Sequence, residues 1–586
     1  MNRRSFGKMA ALTSLSPLLA AAAPTPVATA PEPAQPSANP AANPLAARYQ
    51  LTLQRVLAGD APAYTPEFLL ADVRPTPVRR FTEYSGDLSG RYIGALATAA
   101  QVYQTSFTAL DALVQNTIAL QKPDGYFGAT FHYDKPNDLD LALLWGNGRL
   151  LVGLLEYYRL NPSPHVLASC VKLGDFLVRI GPLMLSAEMR QSFGANHFAS
   201  SYICWMQQTE GLANLYAVTR DARYSLLAAQ IAAVIERRPG DHVHGYLCSI
   251  RGLVDLTRAT SAPAFLRQAE AAWLDVATSK DLLITGGVTE GWTPNNRRTE
   301  GCGEADWVRL SLALWNETGK PQYLAAAERA IFNELSFNQF ATGDFGHRVF
   351  TDTGFTAAGA ARAWWCCSLH GLRTFPDIHA SVFRGQPAGI SYDLPLDASI
   401  HTPSLSAQAE STLAEDGKVR ITITAAAAQP ASLSIRKPQW AANPTVTLNG
   451  AIVNGYLDDS YIRIQRQWSP GDVVTVQYPM QLTTQPAGPD RIAYTYGPWL
   501  LGAPAADNPA YFNELTAGNR LRQGREAATQ SQPARPFTVP IAATVIPCLP
   551  AEFPDQPGTV TLRAIAEQAG LPTTSWELRF LTPQGT

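Results

Sequence analysis

The chain has 586 residues, too many for a single hydrophobic core, and so predicts two or three domains. With 46% hydrophobic and 16% charged residues it is a globular chain rather than a disordered one. Its 46 basic and 48 acidic residues leave a formal charge of −2 with no basic run, which argues against a nucleic-acid partner.

At the N-terminus, Asn2-Arg3-Arg4-Ser5-Phe6-Gly7-Lys8 has the form of a twin-arginine export signal, with a general secretory signal as the alternative. The apolar stretch Met9–Ala23, with small residues suited to cleavage at Ala21–Ala23, is too short and too rich in Ser and Thr for a stable membrane span. Residues 1–23 are therefore expected to be a signal peptide that sends the protein to the bacterial periplasm or outside. The twin-arginine route carries folded proteins, which suits a metal site loaded before crossing. Residues 24–45 are Ala/Pro-rich and read as an extended linker.

From residue 46 to 388 the pattern is helical. Ala95–Leu120, Leu141–Leu160, Val166–Ile180, Gly211–Val218, Tyr224–Val234, Tyr246–Arg258, Ala264–Ala277, Trp307–Trp315 and Tyr323–Phe340 carry apolar residues at helical spacing. Polar turns before Tyr224, Phe265 and Tyr323 give a loose repeat of helical hairpins, which can close into a toroid or stack as an open solenoid.

Within this region lie Glu300-Gly301-Cys302 and Cys366-Cys367, three of the seven cysteines in the chain. Thiolates with a nearby carboxylate are a ligand set for tetrahedral zinc. An extended Glu-x-Cys puts both side chains on one face. The adjacent pair needs a turn or a helix start to face one ion, and a helix is expected from Leu369 to Phe383. The other reading is that these are ordinary core thiols.

From about Gly389 strands take over. Val419, Ile421 and Ile423 alternate with polar residues, Thr445–Leu448 runs into the hairpin dipeptide Asn449-Gly450, and Tyr461–Ile464 and Val473–Tyr478 flank the turn at Pro470-Gly471-Asp472. This predicts a β-sandwich over 389–505. Residues 506–586, with strands at Thr559–Arg563 and Trp576–Phe580, belong to the same sandwich or to a second small β-region. The fold class expected is multidomain α+β, a helical barrel followed by antiparallel β-sandwich domains.

Glu-x-Cys followed by Cys-Cys resembles the zinc site of glycoside hydrolase family 127, the β-L-arabinofuranosidase family, and of its relative, family 146. Ser85–Gly94 is similar to that family's lead-in to the first barrel helices. Arg436-Lys437-Pro438-Gln439-Trp440, Asn449-Gly450, Gly471-Asp472 and Gly497-Pro498 are similar to its β-domain landmarks. The resemblance is to a divergent member and spans roughly residues 66–500. It implies a closed (α/α)6 barrel with the site at the mouth where long loops gather. It also implies Zn2+ held by Glu300, Cys302, Cys366 and Cys367, with Cys366 as the nucleophile.

Retention of configuration needs a nucleophile and a general acid on opposite sides of the scissile bond. A thiol serves as nucleophile only as thiolate, the form that metal coordination enforces. Glu290, ten residues before Glu300, is the candidate acid/base, because the family's acid/base also precedes the ligand glutamate, at a longer interval. Glu304 and Asp306 are the competing carboxylates, and a solvated loop role for Glu290 is the alternative.

His244 matches a family histidine that contacts the sugar, with a cap or core role as its alternative. Arg149, with Trp145 and Asn147 beside it, stands where close family members carry another sugar-binding histidine. Its guanidinium can read either a carboxylate on the sugar or one of the protein. Ser368-Leu369-His370 replaces the Pro-Pro-Asn common in the family, which makes His370 a further candidate contact. These departures leave the sugar open. The expected function is a retaining, exo-acting glycoside hydrolase on a plant-type or bacterial glycan, with a β-L-arabinofuranoside or related sugar as substrate. The alternatives are a zinc-stabilised glycan-binding protein without turnover and a polysaccharide lyase, since fold does not fix function.

Overall fold

A computed structural model describes residues 44–58, 64–74, 76, 78–193, 201–293, 297–356, 362–453, 456–457, 460–512, 541–547, 559–568 and 573–582. The expected signal peptide and nearly all of the linker lie outside them.

Six helices form an inner ring: α1 (Asp87–Tyr103), α2 (Asp138–Leu160), α3 (Gln208–Thr219), α4 (Val243–Thr260), α5 (Gly301–Thr318) and α6 (Trp365–Ala380). Each packs on the next, and α6 returns to α1, so the ring is closed. The helices Thr108–Ile118, Pro164–Met184, Ala222–Ala232, Pro263–Ala277 and Pro321–Ala330 pack outside it, and Pro44–Leu57 completes the outer layer against α6. This is an (α/α)6 barrel, and it resolves the choice between toroid and solenoid. Inner helices are buried nearly all round, which is why their apolar periodicity is weak, whereas the outer helices keep a polar face. The expected single stretch Ala95–Leu120 is two helices, broken where Gln104 adopts a left-handed φ of 48°. Tyr323–Phe340 is likewise interrupted by a π-helical turn at Ile331–Leu335. There Asn333 bonds the backbone of Pro498 and Leu500 and so docks the C-terminal sheet.

Two sheets follow the barrel. One has five strands and starts at Phe383–Gln386, earlier than the boundary expected at 388. The other has six, with Thr445–Leu448 and Ala451–Ile452 joined through Asn449 and Gly450, both at positive φ as a tight hairpin requires. Pairing is antiparallel except between Ala431–Arg436 and Gly389–Tyr392, which run parallel. A third sheet begins at Leu482–Pro486, so the boundary expected at 505 falls inside it. It gathers the late strands Val560–Ala564, Trp576–Glu577 and Phe580–Leu581, and it recruits Gly354–Phe355 from a barrel loop. Among the described residues no helix is long and apolar enough to cross a membrane.

Candidate active site and metal centre

Strand Arg298–Glu300 runs directly into α5, with Glu300 as the last extended residue at φ −136°, ψ 130°. Glu300 and Cys302 therefore meet through a strand-to-helix turn, not along an extended segment. Helix α6 begins at Trp365, four residues before the expected Leu369, so Cys366 and Cys367 lie in its first turn. The positive dipole ends of α5 and α6 thus both face the cluster. Gly301 permits the close approach: a Cβ there would stand 3.0 Å from Cys367 Cβ.

Cys302 Sγ is 3.7 Å and Cys366 Sγ 3.9 Å from Cys367 Sγ, and Cys367 Sγ is 3.3 Å from Glu300 Oε1. All four ligand atoms lie within 4.8 Å of one another, and the thiols are free. Sulfurs ~2.3 Å from a tetrahedral ion stand ~3.8 Å apart, close to the two sulfur–sulfur distances at Cys367, so the group could hold a metal ion. Cys366 is half-buried, whereas Cys302 and Cys367 are buried. Hydrogen bonds from Cys302 and Cys367 hold the Cys366 thiol well below its ordinary range, with Arg91 and His242 adding to the effect. Burial pushes the other two thiols up.

The bridge between Thr289 and Thr299 sets Glu290 beside Glu300. Glu290 opens a short turn in which Gly291 and Trp292 have φ of 75° and 52°, a strained conformation for a tryptophan. Its Oε1 accepts from the Val243 amide at 3.2 Å and lies 3.3 Å from His242 Nδ1, while His242 Nε2 is 3.7 Å from Glu300 Oε2. Burial, and then the charge of Glu300, push the Glu290 carboxyl well above the usual range, which favours its protonated form. The competing carboxylates are committed elsewhere. Glu304 accepts from the Val288 amide at 3.0 Å, and Asp306 binds His244 and Arg251.

Beneath the thiols runs a buried polar layer. Arg91 Nη1 is 3.6 Å from Cys302 Sγ and 3.1 Å from His370 Nδ1, and its Nε donates to Asp87 at 2.7 Å. His370 Nε2 faces Asp306 at 3.3 Å. Burial raises the Asp306 carboxyl, yet Arg251, His370 and His244 outweigh it and hold the group well below its ordinary value. Arg251 continues to Glu210 at 2.8 Å.

The five candidate sugar contacts separate by depth. Trp145 donates to Asp87 and its ring lies 5.1 Å from that of His242, the residue beside Glu290. His244 is fully buried against Asp306, so the histidine that faces Glu290 and Glu300 is His242. His242 directly precedes α4, whereas His244 lies inside its first turn and meets Asp306 of α5 and His370 of α6. His370 belongs to the layer beneath the thiols. Asn147 has its amide filled by the backbone of Ser85, Phe127 and Leu143, and so fastens a loop. Arg149 is paired with buried Glu210 at 3.2 Å, the protein-carboxylate alternative. Sequence reasoning missed His242, Asp87 and Arg91. The i,i+4 spacing of Asp87 and Arg91 was the available signal.

Residues 75–380 match the family model described as "Beta-L-arabinofuranosidase, GH127 catalytic domain", and residues 394–480 match the GH127 middle domain. No curated protein matches. Among solved structures, a GH127 β-arabinofuranosidase superposes with a TM-score of 0.69 at 16% identity over 94% of this chain and 98% of its own. A GH127 β-L-arabinofuranosidase from Geobacillus stearothermophilus gives 0.65 at 16% identity over 91% and 98%. A third, described as a glycoside hydrolase, gives 0.64 at 16% identity over 94% and 96%. At such identities the superpositions establish the barrel-plus-sheets fold. The catalytic-domain match alone covers more than half of the chain, and the protein therefore belongs to glycoside hydrolase family 127.

Proposed function

We propose that the protein is a retaining, exo-acting glycosidase for β-L-arabinofuranosides or a closely related sugar, with Cys366 as nucleophile and Glu290 as acid/base. The observation that carries this reading is the pairing of two groups in one centre. Cys366 is the solvent-reachable thiol of the cluster, and Glu290, a buried carboxyl that favours its proton, stands against Glu300 of the same cluster. Membership of a glycoside hydrolase family leaves no support for the lyase or the binding-only reading.

Glu300, Cys302, Cys366 and Cys367 would hold zinc, whose coordination keeps the thiols ionised at neutral pH. Cys366 Sγ then attacks the anomeric carbon while the bond to the leaving oxygen breaks and Glu290 gives that oxygen its proton. In the second half, Glu290 takes a proton from water, the water oxygen bonds to the anomeric carbon, and the C–S bond breaks to return the thiolate. His242 stands between Glu290 and Glu300, 3.3 Å from an oxygen of one and 3.7 Å from an oxygen of the other. Two displacements retain the configuration. The product anomer, followed by NMR before mutarotation, and mass mapping of protein trapped by an electrophilic arabinofuranose analogue test the scheme. Inverted product, or label on a carboxylate, overturns it.

Export is part of the same reading. Changing Arg3 and Arg4 to lysine should strand the protein in the cytoplasm; normal export of that variant would assign the general secretory route.

A further inference from the structure

We propose that Phe81 and Trp364 form an aromatic subsite at the mouth of the barrel, stacking a second ring of the substrate outside the sugar that reacts at Cys366. The proposal rests on the glycosidase reading above and adds a substrate class: a glycoside whose leaving group is itself a ring, as in an oligosaccharide or an aryl glycoside.

Trp364 stands two residues before Cys366, and its backbone is pinned on both sides. Its N–H donates to Phe345 O at 3.0 Å, and its carbonyl accepts from the amide and hydroxyl of Ser368 at 3.0 and 3.1 Å. Its ring lies 5.8 Å from Phe81 and 5.6 Å from His347, the residue paired with Glu300 across the small ladder of the site. An aromatic arc thus runs from the segment that leads into α1, through Trp364 just before Cys366, to His347 on the strand paired with the one carrying Glu300. Both Phe81 and Trp364 are half-buried, while Cys367, Arg91 and His370 below them are buried, so the arc forms the outer level of the site.

Phe81 supplies an independent sign. Its φ is 64°, in the left-handed region that a bulky side chain avoids, and such conformations persist where function or dense surroundings enforce them. Packing alone does not call for a strained backbone under a half-exposed ring. The Arg80 guanidinium lies 5.0 Å from the ring and the Tyr84 ring 6.4 Å from it. Sugar rings present an apolar C–H face, and half-exposed aromatic faces at a pocket mouth are the surfaces such rings cover.

The test compares two substrates with the same sugar and good leaving groups, 4-nitrophenyl β-L-arabinofuranoside and β-L-arabinofuranosyl fluoride. Phe81→Leu and Trp364→Leu, each checked for wild-type circular dichroism and unfolding temperature, should lose at least tenfold more kcat/KM on the aryl glycoside than on the fluoride, chiefly through KM. Equal losses on both substrates, or none on either, overturn the subsite. If Trp364→Leu fails to fold, Phe81→Leu carries the comparison. Wild-type protein that cleaves neither substrate defeats the arabinofuranoside reading itself, and the subsite falls with it.

Discussion

Arg91 donates an N–H to Cys302 Sγ across 3.6 Å while the same nitrogen contacts His370 Nδ1 at 3.1 Å. A guanidinium is thus built into a cluster of three thiols and a carboxylate, where it offsets negative charge and fixes the sulfur's direction. Partners of this kind typically cost about 10–100-fold in metal affinity or activity when removed. Arg91→Met should lower kcat/KM by about that factor and shift the metal-release midpoint in a chelator titration, with Arg91→Lys partly restoring both. A methionine variant that behaves as wild type in both assays would refute the role.

Protein prepared without added metal should carry one zinc per chain by elemental analysis. Stripping it should abolish turnover and lower the unfolding temperature, because the ligands join α5 to α6. Iron, or no metal, would defeat the zinc assignment.

Glu290→Gln separates acid catalysis from metal binding. The amide keeps the shape and can still accept from Val243, so zinc and fold should be retained. Activity should fall by about 10²–10⁴ on substrates with poor leaving groups and much less on acidic phenol glycosides. A uniform loss across leaving groups would move the acid role to another residue.

The cluster of Glu300, Cys302, Cys366 and Cys367 was legible in the sequence because cysteine is scarce in it and three of the seven gather in one stretch. The layer around them was not. His242 and His244 are two residues apart at a helix start, where the first meets Glu290 and Glu300 and the second Asp306, and periodicity does not resolve that difference. Arg149 follows Trp145 by one helical turn on the same inner helix, yet that turn takes it from the centre to the buried Glu210. The third sheet was placed too late because Leu482–Pro486 is largely exposed and carries no apolar alternation.

Arg149 therefore belongs to stability. Arg149→Met leaves Glu210 with Arg251 but removes one buried charge, which should cost roughly 3 kcal/mol and lower the unfolding temperature. KM of the folded enzyme should stay within about twofold of wild type, the range of a residue outside the sugar's reach. A large rise in KM with unchanged stability would restore Arg149 as a sugar contact.

Asp397, buried in the β-region and accepting from the Ser411 amide at 2.7 Å, has its carboxyl pushed up to about 7 by burial. A raised value means that the fold favours the protonated form. The stability it contributes is complete below about pH 4 and is lost as pH rises through about 7. Asp397→Asn removes that dependence. It should exceed wild type by roughly 1–3 kcal/mol at pH 8 and converge with it toward pH 4. Parallel pH–stability curves for the two proteins would count against the assignment.

The ring of inner helices shuts only when α6 meets α1, and the outer layer is completed by Pro44–Leu57, the earliest described helix, lying against α6, the last of the ring. Glu300 and Cys302 arrive with α5, Cys366 and Cys367 with its neighbour α6, and only the contacts of Arg91 with Cys302 and His370 require closure across nearly the whole length of the barrel. Such distant pairings carry a high loop-closure cost and form late. A nascent chain still short of Trp365 holds only Glu300 and Cys302 of the four clustered residues, so the cluster is complete only once the last helix of the ring has been made.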